Sequence, residues 1–351
     1  MKQYLNLLQN ILDNGVEKES GRANMPNTIG ISHGVIQMDM AEGFPLLTTK
    51  KMYLKGIIHE LLWILSGDTN IKYLVDNNVN IWNGDAYRWY LTKIVPNGAP
   101  NLIIEEFIEK IKAGDHITIS DPTNSHPYDK YREYYFGELG KVYGYQWRNQ
   151  NGVDQVKEVI DGLKNNPFSR YHIIDAWNKA DFKDMALPPC HLLYQFIVRP
   201  LTEEERIASI GVDDLVISDD PDFSITNFLD SIDAPKFYLD LNMYQRSCDT
   251  FLGVPFNIAS MSLLLMIFAK VSNMIPGVST WIGGDTHLYV DHIDVVKEQI
   301  LRDPYPLSKL IITKELNSLD DILDLKLTDF VLSDYRSYDA LKGELFTGLK
   351  K

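Results

Sequence analysis

The 351-residue sequence has little of three features that assign a chain to whole classes of protein. It has two cysteines, too few for a disulfide framework, and its first fifteen residues lack the basic start and apolar run of a secretory signal. Its formal charge is −14, from 34 basic and 48 acidic residues, whereas nucleic-acid and anionic-membrane surfaces need positive charge. We therefore expect a cytoplasmic protein that binds neither nucleic acid nor membrane and captures any anionic ligand locally.

Long apolar segments and common ligand motifs are also scarce. The most apolar stretch, residues 258–274, is interrupted by polar side chains and is shorter than the roughly 20 residues that span a bilayer, so we interpret it as a buried core helix. The eight histidines are scattered, and neither common glycine-rich phosphate loop is present. We expect no metal site.

The residues that are present favour a globular α/β protein. Hydrophobic residues make up 45% of the chain, which is ample for a sizeable core. Apolar residues recur at helical spacing in 5–12, before Gly15, and they cover most of a second helix over 53–65. Glu60 falls on the apolar face of that second helix, so we expect an inward-facing carboxylate.

Two predicted strands are separated by an acidic segment. Residues 191–198 form a short apolar run and residues 237–244 alternate, which is typical of strands. Residues 199–236 between them are rich in acidic side chains, and we interpret them as a surface excursion joining neighbouring strands. A second insertion is predicted at about 87–140, with a helical patch at 103–111. Neither segment resembles an independent domain.

The strongest local motif is LPPCH at residues 187–191. Two prolines restrict the backbone just before the thiol of Cys190, and a strand follows. A cysteine is a useful nucleophile at neutral pH beside positive charge or hydrogen-bond donors. The motif therefore favours a presented nucleophile, and a buried structural thiol is the alternative.

Three further polar groups could bind a nucleotide. Residues 244–249 (YQRSCD) supply the guanidinium of Arg246 for a phosphate, and Asn257 in the following turn can read an imide edge. His287 and Tyr289 share a face if residues 284–289 are extended, and either can bond a sugar hydroxyl. Taken singly, these residues could equally form a surface ion pair, a turn or backbone hydrogen bonds.

Together, several long motifs in the expected order resemble the thymidylate synthase family. They span most of the chain outside the two predicted insertions. The matching stretches are residues 43–50 (GFPLLTTK), 57–70 (IIHELLWILSGDTN), 142–148 (VYGYQWR), 185–191, 244–260 and 283–292.

That resemblance implies a fold and a reaction. The implied fold is a single α/β (α+β) catalytic domain over residues 1–351, with a large mixed sheet that is covered by helices and dimerises through its other face. The implied reaction is reductive methylation of dUMP to dTMP, with 5,10-methylenetetrahydrofolate as one-carbon and hydride donor and no metal. Cys190 adds to C6 of the base, which makes C5 nucleophilic.

The resemblance also implies roles for individual residues of this chain. The residues implied in catalysis are Cys190, Glu60, Tyr143, Asn257, Asp249 and His191. Those implied in substrate binding are Arg22, Arg170 (acting across a homodimer interface), Gln245, Arg246, Ser247, Asp249, Asn257, His287 and Tyr289. Those implied in folate binding are Lys50, Ile81, Trp82, Leu187, Asp249, Gly253 and Phe256.

The sequence departs from the family pattern at three places. Tyr171 stands where a second arginine is usual, and residues 83–86 intervene before the next tryptophan. Residues 335–339 and 341–351 replace the usual C-terminal tail, which in the family closes the site and excludes water.

These departures leave alternative functions open. Water that trapped the methylene intermediate would give a hydroxymethyl product, so a dUMP or dCMP 5-hydroxymethylase is the second hypothesis. Asn257 favours uracil, because an aspartate is the family's pattern for cytosine. A non-catalytic nucleotide- or RNA-binding relative is the third.

Overall fold

A computed structural model describes residues 1–21, 24–120, 131–211 and 224–346. The strands are β1 Val16–Lys18, β2 Thr28–Ile31, β3 Gly34–Asp39, β4 His116–Ser120, β5 Tyr131–Tyr135, β6 Ile173–Asp175, β7 His191–Pro200, β8 Phe237–Asp249, β9 Ile275–Tyr289, β10 Lys309–Ile312 and β11 Phe330–Ser333. The α-helices are α1 Lys2–Asn14, α2 Leu54–Ser66, α3 Lys72–Asp76, α4 Asn83–Trp89, α5 Ile104–Ala113, α6 Tyr143–Asn149, α7 Gln155–Asn165, α8 Glu203–Ser209, α9 Ile225–Ser231, α10 Gly253–Val271, α11 Ile293–Ile300 and α12 Leu319–Leu323.

The central feature is a seven-stranded mixed sheet, as predicted. Its strand order is β1-β2-β9-β8-β7-β6, and β3 also pairs with β9. Strands β8 and β9 are parallel, whereas the neighbouring pairs are antiparallel. The parallel register continues to the end of β8, where Asp249 lies opposite His287. This pairing brings two predicted binding motifs side by side.

Helices cover one face of the sheet. Leu239, Leu241 and Met243 of β8 are fully buried where α10 packs on β8 and β9, and α2 packs on α10. Helix α10 is long and apolar enough to span a membrane, but 72% of its most apolar window is buried inside the protein. It is therefore the predicted core helix, and it begins earlier than expected because Gly253 and Pro255 are tolerated in a first turn.

The opposite face carries exposed apolar side chains. Val35, Ile282 and Tyr244 lie side by side across β3, β9 and β8. Val35 is 55% exposed and Tyr244 41% exposed. The same face was expected to pack on a second copy of the chain, and the exposed patch is compatible with that expectation.

The two predicted insertions contain secondary structure of their own. Residues 201–236 connect the antiparallel neighbours β7 and β8 and carry α8 and α9, which are joined by an ion pair of 2.7 Å between Arg206 and Asp230. Residues 87–140 carry α5 and the β4–β5 pair. The helix predicted around 103–111 is confirmed as α5.

Candidate active site

Helix α2 places Glu60 beside the sheet as an inward-facing carboxylate, as its position on the apolar face predicted. The indole Nε1 of Trp82 donates a hydrogen bond of 2.9 Å to Glu60 Oε1. Burial raises the pKa of Glu60 to about 7, although the Trp82 hydrogen bond acts in the opposite direction. Trp82 also meets the ring of Tyr143 edge-on at 5.9 Å. Glu60 can therefore gain or lose a proton near neutral pH.

Cys190 lies directly before β7, where it is half-buried and not sealed in the core. Its backbone N–H donates to the Tyr143 hydroxyl at 2.7 Å, which holds the nucleophile's backbone in place. The Arg246 guanidinium lies 3.8 Å from Cys190 Sγ through Nη2, and Arg246 Nε donates to the Pro189 carbonyl at 3.2 Å. A fixed positive charge beside a thiol favours the thiolate.

His191 connects Cys190 to a buried group of aromatic side chains. Its ring stacks on Tyr143 with centroids 4.4 Å apart, and its Nδ1 is 3.0 Å from the Tyr194 hydroxyl. Burial lowers the pKa of His191 to about 4, so the imidazole is neutral at physiological pH. The structure thus adds Tyr194 to the predicted set.

No sequence pattern indicated that Tyr194 belongs to the site. Strict alternation along a strand would place His191 and Tyr194 on opposite faces. The register of β7 against β8 shifts between His191 and Leu193, and this irregularity brings the two side chains together.

A narrow cavity adjoins these groups and is about the size of one water molecule. Its polar lining can hold such a water between an acid, an imidazole and an amide. The polar lining residues are Glu60, Trp147, His191, Tyr194, Asn257 and Ser260.

Asn257 is oriented by Gln245. Trp281 Nε1 can only donate, and it donates to Gln245 Oε1 at 2.8 Å. The amide nitrogen of Gln245 therefore donates to Asn257 Oδ1 at 3.0 Å and to the Ser247 carbonyl at 3.1 Å. Gln245 is 3% exposed, so the structure gives this predicted substrate-binding residue internal partners. Asn257 and Ser247 are half-buried.

Asp249 and Lys50 organise the turn between β8 and α10. Asp249 Oδ1 accepts hydrogen bonds from the backbone N–H groups of Phe251 and Leu252, at 3.1 and 3.0 Å. Lys50 is buried, donates to the Phe251 carbonyl and lies 4.0 Å above that ring. Burial lowers the pKa of Lys50 to about 7, and the negative charge of Asp249 opposes that shift. The side chain of Lys50 is thus held inside the protein.

The remaining residues predicted to contact folate are more accessible. Ile81 is 41% exposed, and Leu187, Gly253 and Phe256 are half-buried. Trp82 differs, because it is buried and its one donor is occupied by Glu60. The half-exposed apolar side chains and the nearby carboxylate of Asp249 are chemically suited to a flat heteroaromatic ligand with amide and amine groups.

His287 and Tyr289 lie near the end of β9 on one face, as predicted from their spacing. Their rings meet edge-on at 5.5 Å. His287 Nδ1 is 3.1 Å from the Asp285 carbonyl, which fixes the imidazole. Tyr289 packs against Phe346 near the C-terminus, with ring centroids 4.7 Å apart. His287 and Tyr289 are both buried.

Arg170, a predicted phosphate ligand, does not join this group within one chain. Arg170 is exposed on the segment after α7 and forms no hydrogen bond or ion pair with the site residues that the structure describes. The adjacent Tyr171 is 89% exposed. Arg22 lies outside the described residues.

The described residues contain no group of three or more His, Cys, Asp or Glu side chains that could hold a metal ion.

Trp177 was not predicted to belong to the site, and its ring lies 5.7 Å from the Arg246 guanidinium. Nothing in its sequence context marked it, because the contact joins residues distant in the chain.

Comparison with known proteins identifies related chains over almost the whole length. A family model described as thymidylate synthase matches residues 2–347. The thymidylate synthase of Malacoplasma penetrans (strain HF-2) is 42% identical over 347 residues, covering 98% of this chain and 99% of the relative. Those of Mycoplasma mobile and Mycoplasma pneumoniae are 41% and 40% identical with the same coverage.

Proposed function

This chain belongs to the thymidylate synthase family, and from that premise we propose that it converts dUMP to dTMP through a covalent bond between Cys190 Sγ and C6 of the uracil ring. It is a methyltransferase. The observation that carries the proposal is the half-buried Cys190 thiol with the Arg246 guanidinium 3.8 Å away. A sealed structural thiol would lack both the opening and the adjacent charge.

The cosubstrate in this proposal is 5,10-methylenetetrahydrofolate, which supplies a one-carbon unit and a hydride. Ile81, Leu187, Gly253 and Phe256 would contact it, with Asp249 beside them. The buried side chains of Trp82 and Lys50 support these contact residues from inside the protein. No metal is needed in this scheme.

The nucleotide would be held by groups at its two ends. Arg246 and Ser247 bind the phosphate, together with Arg170 from the second subunit of a homodimer. Asn257 pairs with the uracil edge in an orientation that Gln245 fixes. His287 and Tyr289 bond the deoxyribose. We include Arg22 in the phosphate site on the family resemblance alone.

Proton transfer is assigned to the buried groups around Cys190. Attack by Sγ on C6 places negative charge on the base, and the hydrogen-bond donors of Asn257 stabilise it. After the one-carbon unit is attached, a water positioned by the Tyr143 hydroxyl and His191 can carry the C5 proton to the ionised Glu60 carboxylate, while the bond from the one-carbon unit to the folate nitrogen breaks. The folate then transfers a hydride to the exocyclic methylene carbon, and the bond between C6 and Cys190 Sγ breaks. A Glu60 pKa of about 7 suits this exchange at neutral pH.

The decisive experiment incubates the protein with dUMP and 5,10-methylenetetrahydrofolate and weighs the nucleotide by mass spectrometry. A gain of CH2 with formation of dihydrofolate supports methylation. A gain of CH2O without dihydrofolate would instead identify a hydroxymethylase, and faster reaction of dCMP than of dUMP would contradict the role given to Asn257. No turnover, with binding retained, would support a non-catalytic relative.

A pair of cysteine variants separates chemistry from folding. Cys190→Ser is expected to bind dUMP but to lose turnover by at least about 10⁴-fold, since a covalent nucleophile is removed. The matched control is Cys248→Ala, because Cys248 is fully buried, and its thiol donates to the Gln245 carbonyl at 3.4 Å. That control should retain turnover.

We further propose a cytoplasmic homodimer in which each chain is one catalytic domain and residues 87–140 and 199–236 are insertions. The row of Val35, Ile282 and Tyr244, in which Val35 and Tyr244 are exposed, supports the sheet face as the contact surface. Analytical ultracentrifugation of the wild type and of Tyr244→Lys tests this. A wild-type monomer with full activity would disprove it.

A further inference from the structure

His292 is a buried histidine that the proposed chemistry does not use. It lies directly before α11, three positions after Tyr289, and is 1% exposed. Three aromatic rings surround its imidazole. Their centroids lie 5.2 Å away for Phe251, 5.9 Å for Tyr289 and 5.3 Å for Phe346, and the Phe346 ring is stacked.

The hydrogen bonds of His292 fix its tautomer. Its Nε2 is 3.1 Å from the carbonyl oxygen of Glu344. A carbonyl can only accept, so Nε2 carries the proton and donates it. Its Nδ1 is buried and has no hydrogen-bond partner among the described residues. The donor N–H of this imidazole is therefore committed to the backbone of residue 344.

Residues 334–346, here called the terminal segment, reach His292 after crossing the protein surface. The Tyr338 backbone N–H donates to the Thr48 carbonyl at 2.9 Å. Further along, a Cβ atom added to Gly343 would lie 2.8 Å from Phe251 Cε1 and 2.9 Å from His292 Nε2. The backbone thus passes in direct contact with the His292 ring, which leaves no room for a side chain at position 343.

We propose that His292 is a positioning residue that holds residues 343–346 against Tyr289, so that the terminal segment controls nucleotide affinity through the sugar side of the pocket. This inference rests on the proposed function, because it takes Tyr289 as a ligand of the deoxyribose. The packing of Phe346 on Tyr289 restricts the tyrosine ring before the nucleotide arrives. Restricting a binding side chain in advance lowers the entropic cost of binding.

The experiment measures dUMP binding by isothermal titration calorimetry, without folate, together with the KM values for both substrates. His292→Phe keeps a ring and removes the donor, His292→Gln keeps a donor and removes the ring, and Phe346→Ala removes the contact with Tyr289. We expect His292→Phe and Phe346→Ala to raise the Kd for dUMP about tenfold, the scale of one lost hydrogen bond or contact. His292→Gln should recover part of the affinity, and the folate KM should change less than about twofold.

The matched control is Leu345→Ala, since Leu345 is in the same segment but is 55% exposed. It should bind dUMP like the wild type. Equal affinity in wild type, His292→Phe and Phe346→Ala would overturn the inference, as would an equal loss in Leu345→Ala or equal changes in both KM values. If His292→Phe does not fold, Phe346→Ala carries the test. A wild type that binds no dUMP would instead refute the proposed function.

Discussion

Two parts of the proposed pocket, the Cys190 cluster (Glu60, Tyr143, Cys190 and Arg246) and the terminal segment, are held by different kinds of contact. The cluster is built on α2, α6 and the sheet, and its side chains bond one another, the adjacent backbone or the Trp82 indole. The terminal segment is held by a hydrogen bond from its Tyr338 N–H to the Thr48 carbonyl, by one that its Glu344 carbonyl accepts from His292, and by ring packing.

This difference in contacts indicates that the Cys190 cluster serves the chemistry and that the terminal segment serves nucleotide binding. Burial raises the pKa of Glu60 in the cluster to about 7 and lowers that of the adjacent His191 to about 4, and shifted pKa values are typical of functional sites. The terminal segment supplies mainly apolar and backbone contacts. Changes in the cluster should therefore affect turnover and proton binding, and changes in the segment should affect affinity.

After loss of the Cys190 thiol itself, the largest effect is expected for Arg246→Lys. Lysine keeps the charge but lacks the planar fork that reaches both Pro189 and Cys190 Sγ. Losing one or two charge-assisted hydrogen bonds should lower kcat/KM for dUMP on the order of 10²-fold. Alkylation of Cys190 by iodoacetamide should also slow, as mass spectrometry can follow.

The control for Arg246→Lys is Arg206→Lys. Arg206 lies in α8, within the segment between β7 and β8, and its side chain pairs with Asp230. It should leave kcat/KM unchanged. Equal losses in both variants would show that the cluster has no special dependence on a guanidinium.

The next effect is a pH dependence of stability from Glu60. Its folded-state pKa of about 7 is above the ordinary value of 4.5, so the folded protein binds this proton more tightly than the unfolded chain does. The resulting stabilisation is complete below pH 4.5 and is lost as pH rises through about 7, by up to roughly 1.4 kcal/mol per pH unit.

Glu60→Gln replaces the titrating carboxyl with an amide that does not titrate in this pH range. The difference in free energy of unfolding between wild type and Glu60→Gln should therefore shift against the wild type as pH rises from about 5 to about 7, and then level off. Urea titrations at several pH values measure it. Parallel stability curves would contradict a raised pKa for this carboxyl.

A smaller effect is expected for Tyr143→Phe. The ring can still stack on His191, but the Cys190 backbone N–H loses its acceptor. An unsatisfied buried donor costs about 1–3 kcal/mol, so the free energy of unfolding should fall by that amount, and turnover should fall with it.

Tyr87→Phe is the matched variant outside the cluster, because its hydroxyl donates to the Leu102 carbonyl at 2.8 Å. It should cost stability but not turnover. Should it lower turnover as much as Tyr143→Phe, the distinction between cluster and scaffold would fail.

The sequence predicted the parts of this site that depend on local periodicity. Glu60 was placed inward because helical spacing is a local property, and α10 was recognised from its apolar run. The alternation of residues 237–244 predicted strand β8, but it does not mark the continuation of the strand to Asp249, where residues 245–249 pair with β9. That pairing joins distant parts of the chain and leaves no periodic signal.

The partners of individual side chains were the second feature that the sequence did not predict. Family resemblance named Gln245 and Lys50 as ligand contacts, whereas the structure shows both buried with partners inside the protein. The departure of the C-terminal sequence from the family pattern was visible, but its packing on Tyr289 was not. Such contacts depend on three-dimensional paths that one sequence does not encode in any local pattern.

The smallest effect is expected at Tyr335, near the start of the terminal segment and away from Phe346. The Tyr335 hydroxyl donates to the Leu47 carbonyl at 2.8 Å and accepts from the Met52 backbone N–H at 2.9 Å. Tyr335→Phe should lower the free energy of unfolding by about 1 kcal/mol, because the site is only partly buried. It should raise the Kd for dUMP less than Phe346→Ala does, since it does not contact Tyr289.

Thermal denaturation and calorimetry measure the two quantities for Tyr335→Phe. Tyr53→Phe is the control, because Tyr53 is 46% exposed and its hydroxyl makes no hydrogen bond within the described part of the chain. If Tyr335→Phe weakened dUMP binding as strongly as Phe346→Ala, the segment would act as one rigid unit along its whole length. Nucleotide affinity would then depend on how the segment is anchored at Leu47 and Met52, and the local contact of Phe346 with Tyr289 would not be its main determinant.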